Sequence, residues 1–491
     1  MSVEVGMAAS GVAPGHIIVK FRSSVASGMR AATLNDALGE LLSGLALPPG
    51  ASLYEPGLNY VLGEQRRRDG LPTKVNLDRF LYLRLPPGLS VDECVKLVER
   101  HPWVDYAEPD GAGTGGLIPN DPNFSGQWHH RNLAKPSASI QTPSAWDVTQ
   151  GSTNVIVAVL DTGLSFSDEF AGRIIPGYNF AYTNADTTDD HGHGTAVAAT
   201  LAANANNSTL LAGVDWHCRL LPVKVLDSNK YGLYSWWAQG VEYAVNHGVK
   251  IINLSAGGRG SSITLTRAIT NAIAKGVIFV TITHNDGTNV ISYPGNLTNC
   301  ITVGGTDAQD HRSSFSNYGP QIDLCAPSIN ISSVSRAGTL TEWSGTSFSA
   351  SQVSGVCALL AAIQPGISQE EARLLLCAGA EDGVGDATDT PGFDDYHGWG
   401  RLNAYNSLLL AQTRLSHADW SNGVLRLSWS SPANASSKQP HQVEFKNVLN
   451  GTWTTAAGTN AFVYEAGRTD WSDRNAGVSA SYYRLRLRPL P

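Results

Sequence analysis

Charge is scarce in this chain: only 15% of its 491 residues are Asp, Glu, Lys or Arg, and the 42 acids outnumber the 34 bases. With a net charge of -8 and a pI near 5.9 there is no basic surface for a polyanion, so nucleic acid is excluded as an expected partner. No run approaches 18 uninterrupted apolar residues, which removes a membrane-spanning segment from the expectations. The six cysteines (Cys94, Cys218, Cys300, Cys325, Cys357, Cys377) have no CxxC spacing, and most sit among apolar neighbours. They read as small core hydrophobes rather than a disulfide framework. Met1 to Gly15 lacks the basic start and apolar stretch of a secretory signal, so either the chain stays inside the cell or a signal has been trimmed. What is abundant is apolar surface, at 42%, and glycine, with 50 residues. That balance rules out disorder, and the length calls for about three domains.

Residues 14–110 alternate strand and helix patterns. His16 to Phe21 and Phe80 to Leu85 read as strands, Ala31 to Leu45 and Ser90 to Arg100 as helices, and Trp103 to Ala107 as a last strand. A small α+β unit is expected, followed at 111–118 by a glycine-rich linker, Gly111-Ala-Gly-Thr-Gly-Gly116. From 119 to 412, near-continuous apolar strands (Val155 to Leu160, Leu220 to Leu226, Ile251 to Leu254, Val277 to Ile282, Ile301 to Val303) alternate with helical stretches. This pattern predicts an α/β domain with a doubly wound, mostly parallel sheet covered on both faces. Residues 413–491 turn to Trp-, Thr- and Ser-rich strands, such as Val424 to Trp429 and Tyr482 to Leu487, which predicts a β-sandwich.

Three segments carry chemistry. Val157-Ala-Val-Leu-Asp161-Thr-Gly163 places a carboxylate where a buried strand runs into a turn, at the sheet edge where α/β proteins build their sites. His191-Gly-His193-Gly-Thr-Ala-Val-Ala-Ala puts an imidazole at a helix start. Ser344-Gly-Thr-Ser347-Phe-Ser-Ala places a hydroxyl at the N-terminus of another helix, where the backbone dipole favours developing negative charge. Taken singly, Asp161 can be a turn former, His193 a satisfied polar residue and Ser347 a helix cap. Together they supply a nucleophile, the base that activates it and the carboxylate that orients the base.

The DTG, HGTxVA and GTSxSA patterns, in that order and 32 and 154 residues apart, resemble the signatures of the subtilisin-like serine peptidases, the subtilase family. The resemblance implies a subtilisin-like fold over 119–412, Ser347 as nucleophile, His193 as general base and Asp161 as its orienting carboxylate. Asn285, after the strand Val277 to Thr283, resembles the residue whose side-chain amide joins the Ser347 N–H in the oxyanion site. Ser255-Ala256-Gly257 resembles the strand lining the primary pocket, and Lys230-Tyr231-Gly232 the opposing edge, with Tyr234 over the outer pocket. An extended polypeptide substrate would pair between them. His284 stands where the family usually has Gly, putting a bulky ring at the pocket wall, and Asp286 lies at its rim. Ser351 replaces a usual Pro.

The segment Asn204 to Leu211 resembles a calcium loop, with Gln127, Glu169, Asn207 and Leu211 at ligand positions; calcium takes such oxygen cages. No cofactor is implied for the chemistry itself. Residues 14–110 resemble an inhibitor-type propeptide of ferredoxin-like fold, with Asp105 to Asp110 as the tail left in the active-site groove and cleavage between Gly111 and Asn120. That implies a self-processing, secreted endopeptidase with its own propeptide as inhibitor. Two other readings stand beside it: a metal-dependent hydrolase using Asp189, Asp190, His191 and His193, and a non-catalytic binding protein on a peptidase scaffold.

Overall fold

The computed structural model describes residues 117–412 throughout; outside them it describes residues 12–21, 60–61, 80–84, 91–100, 102 and 104–111, and the strands of 415–487. The chain divides into two compact units, residues 1–115 and 116–491, with the expected linker at their boundary.

In the larger unit seven strands form one sheet in the order Leu324–Pro327, Ile301–Thr306, Ile278–Ile282, Ile251–Leu254, Ile156–Asp161, Arg219–Lys224, Tyr178–Asn179. Every pairing is parallel. The apolar runs are continuous because both faces are covered. Val157 and Val159 join the core shared with the helices His193–Ala202 and Thr346–Ile363, while Ala158 and Leu160 face the core under Tyr234–Asn246 and Ile263–Ala274. Alternation across the sheet thus builds two cores from one strand, each fully buried Val, Leu or Ile contributing ~1.5–3 kcal/mol.

Thr346–Ile363 is long and apolar enough to cross a membrane, but 89% of it is buried inside the protein. It is a core helix. All six cysteines are buried thiols, as their apolar neighbours predict. The parallel strands deliver Asp161, Ser255 and the His284–Asn285 pair to one edge of the sheet, just past the carboxyl ends of three adjacent strands.

The smaller unit has a four-stranded antiparallel sheet in the order Tyr60–Val61, Phe80–Arg84, Val12–Phe21, Val104–Gly111, with the helix Val91–Val98 between the third and fourth strands in sequence. The helix expected over 31–45 lies outside the described residues. Asp105 to Asp110, expected as a tail, is part of the strand Val104–Gly111: Ala107 pairs with Val19 and Glu108 with Ile18, and Lys20 meets Asp105 at 3.2 Å. The strands of 415–487 form two antiparallel sheets, Leu415–Ser421, Val424–Ser430, Arg468–Asp473, Phe462–Glu465 and Thr454–Thr455, His441–Lys446, Tyr482–Leu487.

Candidate active site

The strand Ile156–Asp161 ends on a carboxylate with no solvent exposure. Its Oδ1 lies 2.7 Å from His193 Nδ1 and accepts the Thr162 N–H at 2.7 Å, while Oδ2 is buried without a hydrogen-bond partner. This contact fixes the imidazole: Nδ1 faces the carboxylate, leaving Nε2 for chemistry. His193 begins its helix, as its spacing predicts, and the two glycine motifs bring helix and strand together. Gly163 takes φ +115°, and a Cβ on Gly194 would come 2.2 Å from the Gly163 carbonyl. Any larger residue would push His193 off Asp161.

Asp189 does the rest of the positioning. Its buried carboxylate accepts the N–H groups of His191, Gly192 and Thr195 and the hydroxyls of Thr162 and Thr195, at 2.7–3.0 Å. Burial would raise its pKa, but the hydrogen bonds from Thr195, Gly192 and Thr162 outweigh that and hold it below the usual carboxylate range. Asp190 is engaged too, 2.7 Å from the buried Lys224 ammonium, which also donates to the Leu226 carbonyl at 2.9 Å. Asp189 and Asp190 are therefore spent on backbone, hydroxyls and a lysine, and the metal-hydrolase reading loses its carboxylate ligands. A second grouping, Asp389, Asp394 and His397, closes a loop in the same way: the Asp389 carboxylate takes the N–H groups of Gly383, Val384 and Gly385, and Asp394 those of Thr390, Tyr396 and His397.

Ser347 is the second residue of Thr346–Ile363, inside the helix rather than ahead of it. Its neighbour Phe348 packs against the His193 ring at 5.8 Å between centroids, which brings the two helix starts together. The Ser347 hydroxyl is directed to the Ser255 carbonyl at 3.5 Å; no hydrogen bond joins it to His193 among the described residues. Below it the Ser255 hydroxyl donates to the Ser347 carbonyl at 3.2 Å, and Asn253 bridges Ser255 and Ser354 at 2.9 Å each. The Ser351 hydroxyl donates to the Phe348 carbonyl at 2.8 Å, so the residue replacing proline is satisfied within the helix.

Asn285 is held by its oxygen. Oδ1 accepts the N–H and the hydroxyl of Thr346 at 2.9 and 3.0 Å, which leaves the Nδ2 amide group as a donor beside the Ser347 N–H. Two donors at a helix N-terminus suit an oxyanion.

A cleft of about 450 Å³ adjoins Ser347 and Asn285. Lys230, Tyr231, Gly232 and Tyr234 line one side; Ser255, Ala256, Gly257 and His284 line the other. Asp286 does not line it but binds His284 Nδ1 at 2.9 Å. Neither Lys230–Gly232 nor Ser255–Gly257 belongs to a regular strand. Lys230 instead closes a turn on the Asp227 carbonyl at 3.0 Å, with φ +61°. Among the described residues no strand pairs with these edges, and a peptide laid between them would supply one. The Tyr234 hydroxyl crosses the cleft to the Arg259 carbonyl at 2.8 Å.

At the loop of residues 204–211, Gln127 is not a ligand: its oxygen accepts from Ala212 N at 2.9 Å and its amide donates to Ala212 O at 2.7 Å. Asp121, absent from the expected set, approaches instead and accepts the N–H groups of Asn206 and Asn207 at 2.7 and 3.3 Å. Glu169 Oε1 accepts the Thr209 hydroxyl at 2.6 Å and Oε2 is buried without a partner. Burial pushes the Glu169 carboxyl up to about 7, with the Asp121 charge adding to it against the Thr209 hydrogen bond. Asn207 Oδ1 accepts from the Thr209 N–H and hydroxyl at 2.9 and 2.7 Å, and Leu211 is buried beside the loop. Two close carboxylates, one with an orphaned oxygen, form an oxygen-only cluster suited to a hard cation. The signal available for Asp121 was only that it is an acid within the turn-forming Pro119-Asn-Asp-Pro122.

Residues 152–400 match the Subtilase family (Peptidase_S8). A thermophilic serine proteinase of Bacillus sp. (strain AK1) is 35% identical over 321 residues, covering 65% of this chain and 76% of that one. Thermitase of Thermoactinomyces vulgaris is 35% identical over 291 residues, covering 59% of this chain and 99% of its own. Among solved structures, a protease from Pseudoalteromonas arctica PAMC 21717 superposes with a TM-score of 0.55 at 28% identity, over 60% of this chain and 99% of that one. These likenesses favour neither a metal-dependent hydrolase nor a non-catalytic scaffold. The chain belongs to the subtilase family: it is a serine protease, acting on polypeptides.

Proposed function

We propose that the protein is a secreted endopeptidase, made as a self-processing zymogen, that cleaves through an acyl-enzyme on Ser347. The observation that carries this reading is the buried 2.7 Å contact of Asp161 with His193 Nδ1, which leaves Nε2 free toward the Ser347 helix. Rotation of the Ser347 hydroxyl away from the Ser255 carbonyl brings it to Nε2, which takes its proton as the oxygen attacks the peptide carbonyl. The oxyanion accepts from Asn285 Nδ2 and Ser347 N–H, and the imidazolium gives its proton to the departing amine. A water, deprotonated by the same nitrogen, then releases the acyl group. Lys230, Tyr231, Gly232, Tyr234, Ser255, Ala256 and Gly257 hold the substrate backbone.

Residues 14–110 act as the propeptide, and the strand order of the smaller unit supports a ferredoxin-like fold for it. With 104–111 paired as a strand, the inhibitory tail begins later than Asp105, in the stretch leading to Asn120. The two sheets of 415–487 support a C-terminal β-sandwich. Asp121, Glu169, Asn207 and the neighbouring carbonyls hold a structural calcium ion, whose charge stabilises the paired carboxylates and plays no part in the chemistry.

The test is purified Ser347→Ala. Full-length protein that stays uncleaved, while the unaltered chain yields two fragments and reacts with a serine-directed phosphonate, is the expected outcome. Unchanged processing in the variant removes self-cleavage, and absence of phosphonate labelling at Ser347 removes the nucleophile.

A further inference from the structure

The acyl carbon attacked by Ser347 must sit at Oγ with its oxygen toward Asn285 Nδ2. The side chain of the residue before the cut then enters the space between the backbone after Ser255, whose carbonyl is 3.5 Å from Oγ, and the segment carrying Asn285. His284 is built across that space. Its backbone takes φ +87°, a left-handed conformation that favours glycine, and this aims an imidazole at the opposite wall. A Cβ built on Gly257 would lie 3.0 Å from His284 Cδ2 and 3.6 Å from Cγ, so the ring occupies the space directly over the facing backbone. The ring is tethered as well: Asp286 Oδ2 holds Nδ1 at 2.9 Å, and Asn317 holds Asp286 through its N–H at 2.8 Å. Only a third of the His284 side chain remains exposed, at 34%.

We propose that His284, braced by Asp286, is a plug in the primary pocket that restricts cleavage to positions after small side chains, with Gly, Ala or Ser before the scissile bond. The inference rests on Ser347 being the nucleophile. A slot filled by an imidazole has room for a methyl or hydroxymethyl group, whereas a benzyl group requires the ring to leave its place over Gly257 and its contact with Asp286. Selectivity here comes from exclusion rather than from attraction. Replacing His284 by Gly removes the plug and suits the left-handed backbone, so the variant is expected to fold.

The test compares kcat/KM for two succinylated tetrapeptide p-nitroanilides differing only in Ala or Phe at the last residue. The unaltered enzyme is expected to favour Ala by at least about 10-fold, in line with the ~10–200-fold a single methylene commands in a fitted pocket. His284→Gly is expected to move the Ala:Phe ratio toward Phe on the order of 100-fold, and Asp286→Ala, which removes the acceptor at Nδ1 and frees the ring, in the same direction by less. Each sample is titrated with a serine-directed phosphonate, so ratios refer to labelled enzyme. If labelled enzyme prefers Phe before mutation, or the ratio stays within threefold in His284→Gly, the plug is wrong while the nucleophile stands. An unaltered enzyme that takes no label at Ser347 overturns the reading beneath it.

Discussion

Asp161 and Glu169 are both buried carboxylates, eight positions apart, each with one oxygen in a hydrogen bond and the other without a partner. They differ in what faces them. Asp161 has an imidazole at 2.7 Å, a group of this chain that can itself become a cation. Glu169 has a hydroxyl at 2.6 Å and the like charge of Asp121, and its pKa is driven up to about 7. A buried negative charge needs a proton, a cation or a full set of hydrogen-bond donors; the first pair is complete within the chain, while the second has one donor and calls for an ion. Asp189 is a third answer: its charge is met by three N–H groups and two hydroxyls.

The largest test breaks the first pair. Asp161→Asn keeps the shape and removes the charge that fixes the imidazole tautomer, and kcat is expected to fall about 10⁴-fold, a magnitude known from serine peptidases, subtilisin included, rather than deduced from these distances. Active-site titration with steady-state kinetics checks it. A loss under tenfold would mean that the carboxylate does not orient His193.

Next is the neutral solution. Asp189→Ala strands five donors near the start of the His193 helix and is expected to lower unfolding free energy by several kcal/mol, on the order of 3. Denaturant titration reads it, and a change below about 1 kcal/mol would show that water replaces the carboxylate.

The smallest effect separates Glu169 from both. Its folded pKa lies above the ordinary 4.5, so the folded state holds the extra proton between these values. In chelator, stability is therefore expected to fall as pH rises from 4.5 through about 7. Calcium binds the deprotonated pair and should remove that fall, adding ~2.7 kcal/mol at 100 times its Kd. Thermal midpoints in calcium and in chelator, across this range, decide it: identical profiles would leave the cluster without an ion. Glu169→Gln should erase the difference.

Much of this was legible in the chain. Asp161, His193 and Ser347 stand in contiguous motifs whose chemistry is local: a strand running into a turn, a glycine-permitted helix start, a hydroxyl at a helix N-terminus; Asn285 was legible only through the resemblance to the subtilase family. The parallel sheet followed from uninterrupted apolar strands. The edges at Lys230 and Ser255 were less so, because a strand is defined by its partner and the described residues supply none to either segment.

Sequence alone pointed to the carboxylate, imidazole and hydroxyl of Asp161, His193 and Ser347, since motif and periodicity depend on near neighbours. Tertiary structure alone decided which of the candidate groups are free to act. Gln127 is consumed by Ala212, 85 positions away, and Asp121 reaches the loop beside Asn207 from a similar distance. Asp189 is closed by Thr162, and His284 is laid over Gly257. Hydrogen-bond saturation and steric filling are properties of partners that only folding brings into contact.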